Sequence, residues 1–365
     1  MKETFPPLGG DWSMIEAQLP ADWRKLAYEY HQVGHARPHL GAKLTDAGIL
    51  LRLVLFHVAT DMSLKITVGL AAAAKLIVIS AVALHKRMRS VGPYLAVLLS
   101  RMLKLPDQFS PQRWAGYEVN AVDATTVVRP GAKGTTARVH YALELERLAL
   151  IQCTVTDETG GETFRRFVAK PNQLWIGDRC YCNPPGIASI RVQQADVLVR
   201  YNFGSLPLYD IWGRSLNVDQ KLSKLKRPLQ IREWVAFVHH EPGKRITGRL
   251  VALRLPADKA EEARARLRKE EGPKVTEQAL ARAEFVVVFT TVPKDRLSAE
   301  QVIELYRLRW QIELRIKRDK SICNLDLLPN FRPDTIYSWL MAKLLAETIA
   351  QRIATPQVAF PPCGQ

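Results

Sequence analysis

The chain has 365 residues, 47% of them hydrophobic, and a formal net charge of +16. That apolar share excludes a disordered or fibrous chain and supplies two or three packed domains, while 52 basic against 36 acidic residues favour a polyanionic partner, nucleic acid before an anionic membrane surface. Five scattered cysteines (Cys153, Cys180, Cys182, Cys323 and Cys363) exclude a disulfide framework and read as reduced thiols.

Residues 1–20 carry prolines and acidic groups where a secretory leader needs an apolar run, so the expected location is the cytoplasm, at the nucleoid. From residue 11 to about 110 the pattern is helical, with Trp23, Leu26, Ala27 and Tyr30 on one turn and apolar repeats over 49–58 and 91–103. Residues 64–84 form a long apolar run, but Lys65 and Lys75 fall inside it, and a lysine near the middle of a span costs roughly 3 kcal/mol; no membrane partner is expected. The pair 67–74 and 80–89, ending in HKRMR, reads either as a helix-turn-helix presented to DNA or as alanine-rich helices packed in a bundle. His31, His35 and His39 have helical spacing for a metal, yet Gly34 and Pro38 break that helix and leave surface histidines near a turn.

At about residue 116 the period changes to that of strands. YEVNAVD, ARVHYALELE and ALIQCTVTD are separated by turn residues and read as an antiparallel meander. QLWIGD is a fourth strand, Asn183-Pro184-Pro185-Gly186 a turn, 187–194 a helix and DVLVRYNF a fifth strand. This order, followed by a carboxylate-bearing helix, is that of a ribonuclease-H-like α/β core. Between about 207 and 293 a β-rich insertion interrupts it, with strands EWVAFVHH, GRLVALRLP and EFVVVFTTV around the charged helix DKAEEARARLRKEEG, which reads as a solvated surface helix laced by i,i+4 pairs. The expected domains are a helical N-terminal domain (1–112), the first part of the core (113–206), the insertion (207–293), the catalytic and C-terminal helices (294–354) and a tail (355–365).

Ser298 and Gln301 form a capping box for one continuous helix over 298–322. At about 100° per residue, Tyr306, Arg309, Glu313 and Lys320 share one narrow stripe. Upstream, AVDATT and IGDRCY put Asp123 and Asp178 at strand ends, where turns expose polar groups.

The spacing Y-x2-R-x3-E-x6-K, the following K-S-x-x-x-L-D-x-L (Lys320, Ser321, Leu325, Asp326, Leu328), the D-A-T at Asp123, the H-Y-x-L at His140 and the D-R-x-Y at Asp178 together resemble the DDE transposases of the "insertion sequence four" family. Cys180 stands where that family often has glycine, and Ala124 where glycine or serine is common. The resemblance implies an enzyme that binds terminal inverted repeats in double-stranded DNA, cleaves by metal-dependent phosphodiester hydrolysis and joins the 3′-OH to a target, working as a homodimer in its synaptic complex. It implies Asp123, Asp178 and Glu313 as ligands of two Mg2+ ions, with Mn2+ a substitute and Asp123 bridging, because two cations roughly 4 Å apart stabilise both the attacking and the leaving oxygen. Tyr306, Arg309 and Lys320 then hold DNA phosphates. Trp310 is expected in the core, and Trp212 and Trp234, candidates for stacking on a flipped base, are more readily core tryptophans. The alternative reading is an inactive DNA-binding relic or regulator of the same family.

Overall fold

The computed structural model describes residues 12–30, 32–33, 44–103, 114–241, 243–328 and 332–354. His31, His35, His39 and the 355–365 tail lie outside the described residues.

The N-terminal part is helical, with α1 (Trp12–Glu16), α2 (Trp23–Glu29), α3 (Ala47–Thr60), α4 (Leu64–Ala73), α5 (Ala81–Ser90) and α6 (Gly92–Met102). The long apolar run is cut in two. Lys75 takes a left-handed conformation at φ 55°, and the Ser80 side chain accepts from the Ala83 N–H to start a new helix. No helix among the described residues is long and apolar enough to cross a membrane. The connection between α4 and α5 spans 74–80, longer than the usual helix-turn-helix turn. Two cations of HKRMR are already used within the chain: Arg87 donates to the Gln32 carbonyl at 2.7 Å and Arg89 pairs with Asp334 at 2.8 Å.

The central part holds β1 (Glu118–Val127), β2 (Ala137–Glu144), β3 (Ala149–Asp157), β4 (Gln173–Gly177), α7 (Pro184–Val192) and β5 (Asp196–Arg200). The strands match the period-2 segments of the sequence closely. The Asn-Pro-Pro-Gly stretch is not a free turn; Asn183 Oδ1 accepts from the Gly186 N–H at 2.9 Å, so it is the cap of α7, whose first turn takes the prolines where no N–H is needed. Then come α8 (Val218–Leu222), β6 (Ile231–Glu241), β7 (Lys244–Arg254), α9 (Ala257–Glu271), α10 (Glu277–Ala283), β8 (Phe285–Thr290), α11 (Ala299–Arg307), α12 (Trp310–Cys323) and α13 (Pro333–Ala354).

All eight strands join one sheet in the order β3-β2-β1-β4-β5-β8-β7-β6. β1 to β3 form the antiparallel meander, and β1, β4 and β5 run parallel. This is the ribonuclease-H-like arrangement. The strands of the insertion extend the same sheet: β8 pairs antiparallel with β5 through Leu198 and Thr290, and β7 and β6 follow. Alternate residues pack two layers. Ala121, Tyr141 and Ile176 pack with Ile312, Ile316 and Leu344 of the late helices, and Val122, Trp175 and Val197 pack on the other face with Phe164, Ile187 and Ile190.

Candidate active site

Asp123 is not at a strand end. β1 runs on to Val127, pairing with β2 throughout, and Asp123 sits opposite Tyr141. On its other side the pairing with β4 stops at Ala121 and Ile176, because β4 ends at Gly177. Asp123 therefore lies just past the end of β4, and Asp178 is the first residue after it. Parallel strands present their carboxyl ends on one edge, the usual place for a ligand in an open α/β sheet, and this puts the two aspartates together.

The helix expected over 298–322 is two helices. The capping box at Ser298 and Gln301 is formed, but at Leu308 and Arg309 the backbone switches to i−3 bonds, Arg309 N–H to Tyr306 C=O and Ile312 N–H to Arg309 C=O. No proline or glycine marks the break. Glu313 falls in the first turn of α12, and Arg309 stands at the junction between two carboxylates. Its Nη1 is 3.7 Å from Asp123 Oδ2, and its Nη2 is 2.5 Å from Glu313 Oε1. The Tyr306 hydroxyl interacts with Arg309 and with Arg200 at the end of β5. Lys320 lies further along, donating to the Thr126 carbonyl of β1 at 3.3 Å.

The structure thus brings Asp123, Arg309 and Glu313 into contact. Asp178 is linked to Asp123 by charge, and Lys320 meets β1 beyond them. Burial pushes the Asp123 carboxyl up to about 7; the Ala124 N–H opposes this, the Asp178 charge adds to it, and Arg309 and Glu162 then act with opposite signs. Asp123 is half-buried, and its carboxylate oxygens, like those of Asp178 and Glu313, are hard donors that suit divalent cations of the magnesium type. The donor set fits a metal.

Three positions depart from the sequence reading. Trp310 is 48% exposed and Trp212 71% exposed, so neither is a core tryptophan; Arg214 lies 4.6 Å over the Trp212 ring. Trp234 is partly buried against the second core layer. The charged helix α9 is tied by Lys259–Glu262 and Arg264–Glu261 pairs three residues apart, and it does not face only solvent. Arg266 and Leu267 line a cavity of about 750 Å³ together with Asp178, Arg179, Arg200, Phe203, Arg282, Tyr306 and Arg309.

Sequence reasoning missed Arg200, Arg266 and Glu162. Arg200 ends β5 on the same carboxyl edge, and strand-end logic would have reached it. Glu162 lies in the loop after β3, where no periodic signal exists.

Residues 114–348 match the family described as "Transposase DDE domain". The chain belongs to the DDE transposases. It is 30% identical over 327 residues to the transposase InsL for insertion sequence element IS186A of Escherichia coli K12, with 88% of each chain covered. It is also 30% identical over 328 residues to the transposase for insertion sequence element IS421 of Escherichia coli, again with 88% of each covered. A solved piggyBac transposase synaptic complex with hairpin DNA aligns with 97% of this chain and 75% of that one, at 9% identity and a TM-score of 0.45. The resemblance to the "insertion sequence four" transposases therefore holds over nearly the whole chain. The family's activity is DNA transposition by divalent-metal-dependent cleavage and strand transfer, and this chain is an enzyme of that kind.

Proposed function

We propose that Asp123, Asp178 and Glu313 hold two Mg2+ ions, replaceable by Mn2+, with Asp123 shared between them. The observation that carries this reading is the half-buried Asp123 carboxylate past the end of β4, beside Asp178 and joined to Glu313 through Arg309. When bound, the metal pair supplies charge for the attacking and leaving oxygens of a phosphodiester. The chain's own residues orient the strand. Arg309 offers a planar fork to phosphate oxygens, Tyr306 interacts with that guanidinium, and Lys320 provides a point charge about three helical turns further along.

In this reading residues 113–206 and 294–354 form the catalytic core, 207–293 the insertion and 1–112 the end-binding domain, which with the charge of +16 engages the terminal inverted repeats of the element. Two ends are held together by a homodimer, in the cytoplasm on the nucleoid. Purified protein with Mg2+ and a duplex carrying its own element's end should nick that end and then join it to a second duplex. Full cleavage by Asp178→Ala and Glu313→Ala proteins would show that the carboxylates have been wrongly chosen.

A further inference from the structure

Beside Asp178 lies an acidic group outside the three motif carboxylates. One ligand atom each from Glu162, Asp178 and Cys180 lie within 4.8 Å of one another. Glu162 is far from Asp178 in the chain, and its loop is pinned on the side that precedes it: Arg138 donates to the Gly160 carbonyl at 2.9 Å and Arg166 to the Gly161 carbonyl at 2.8 Å. On the side that follows, Thr163 caps a short 3-10 helix and Phe164 is fully buried. The backbone on both sides of Glu162 is thus held by the fold, and its carboxylate lies beside Asp178.

A second observation points to a ligand at this place. The Tyr181 hydroxyl belongs to a fully buried residue and has no hydrogen-bond partner among the described residues. Its ring packs against Phe164 with centroids 5.1 Å apart, and the titratable groups acting on its hydroxyl are Glu162, Asp123, Asp178 and Cys180. A buried hydroxyl without a partner is costly. A ligated carboxylate or a water on a bound cation would satisfy it.

We propose that Glu162 is a fourth carboxylate of the metal centre, holding with Asp178 the ion on the β4 side, and that Cys180 gives this position a thiol ligand. The donor set becomes two carboxylate oxygens and one sulfur, so the position accepts softer ions than an all-oxygen site does. Mn2+ and Cd2+ both fit it, Cd2+ with the thiol proton released to solvent as the metal–sulfur bond forms. The proposal rests on the reading of Asp123 and Asp178 as ligands.

The test is metal titration of the full chain without DNA, following free Mn2+ by paramagnetic resonance and Cd2+ by its thiolate charge-transfer absorption. Glu162→Gln should weaken Mn2+ binding by on the order of tenfold, and Cys180→Ser should remove the Cd2+ absorption band. Wild-type Mn2+ affinity in Glu162→Gln, with Asp178→Asn impaired, overturns the role of Glu162 and leaves the three-carboxylate reading standing. Wild-type affinity in Asp178→Asn instead overturns that underlying reading. A Cd2+ band that survives Cys180→Ser overturns the thiol ligand. Should circular dichroism show that Glu162→Gln is unfolded, Glu162→Asp carries the same test, with a several-fold loss expected and wild-type affinity counting against it.

Discussion

The guanidinium of Arg309 lies 3.7 Å from the carboxylate of Asp123. The same group is 2.5 Å from Glu313, so one side chain lies between two of the proposed ligands. A carboxylate oxygen paired with arginine is a poorer donor to a cation, so in the proposed reading a bound metal competes with Arg309 and loosens its fork. The freed fork is then available to a phosphate. We predict that Arg309→Ala tightens Mn2+ binding to the DNA-free protein while lowering DNA cleavage by roughly ten- to a hundredfold, the loss expected for a charge-assisted hydrogen bond. Parallel Mn2+ titration and cleavage assays check this, and weaker metal binding in the variant would refute the competition.

The pH dependence follows from Asp123. Its folded-state value of about 7 is above the ordinary 3.8, so the native chain keeps a proton that the unfolded chain releases. The associated stability is present below about pH 4 and is lost as the pH rises through 7. Asp123→Asn, which removes the charge and keeps the shape, should therefore be more stable than wild type at pH 8 in the presence of a chelator, and no more stable at pH 4. Urea unfolding at the two pH values measures it. Cation affinity should move the opposite way, rising through pH 7 as the carboxylate loses its proton.

Behind Glu313, the inward face of α12 is held by a buried ionic network. Arg315 donates to Asp319 Oδ1 at 2.9 Å and to Gln351 Oε1 at 2.8 Å, and also pairs with Glu347 on α13. Burial pushes the Glu347 carboxyl up to about 7 despite that partner. Removing the guanidinium leaves two carboxylates uncompensated, and Arg315→Ala should cost about 3–5 kcal/mol. Denaturant unfolding at neutral pH should show the loss. A change below about 1 kcal/mol would mean that the helix is held by its apolar contacts alone.

The strands β1 to β5 could be read nearly residue by residue because period-2 alternation and turn residues are local signals. What failed was the reach of β1. Thr125, Thr126 and Val127 are β-branched and continue to pair with β2, so the edge that matters at Asp123 is set by β4, a strand about fifty residues away. The joining of β8 to β5 is likewise a long-range pairing that no local pattern encodes. Asp123 and Glu313 both contact Arg309, a meeting no local pattern encodes, and the break at Leu308 has no sequence mark. Trp212 and Trp310 are exposed; aromatic type is only a weak guide to burial. Glu162 was invisible because hydrogen bonds from Arg138 and Arg166 to its loop fix its place.

The approach of Gly177 to Tyr181 ties the end of β4 to the site. A Cβ on Gly177 would meet Tyr181 Cβ at 2.7 Å, Tyr181 Cγ at 2.9 Å and Phe164 Cζ at 3.1 Å. The first of these is close to the backbone and cannot swing away, so the strain must be relieved by moving the segment that starts at Asp178. Overpacking of this kind costs about 1–3 kcal/mol, and the displacement falls where cation ligands have to hold their spacing. We predict that Gly177→Ala lowers Mn2+ affinity and DNA cleavage by more than its stability loss explains. Comparing it with Gly248→Ala separates the two effects. There a Cβ would meet the Thr290 backbone carbonyl at 2.6 Å and Phe289 Cζ at 2.4 Å, in the sheet extension away from the carboxylates. Gly248→Ala should lose stability on the same scale and keep its metal affinity. If both variants bind Mn2+ as wild type does, the tight packing under Asp178 serves the fold and not the metal centre.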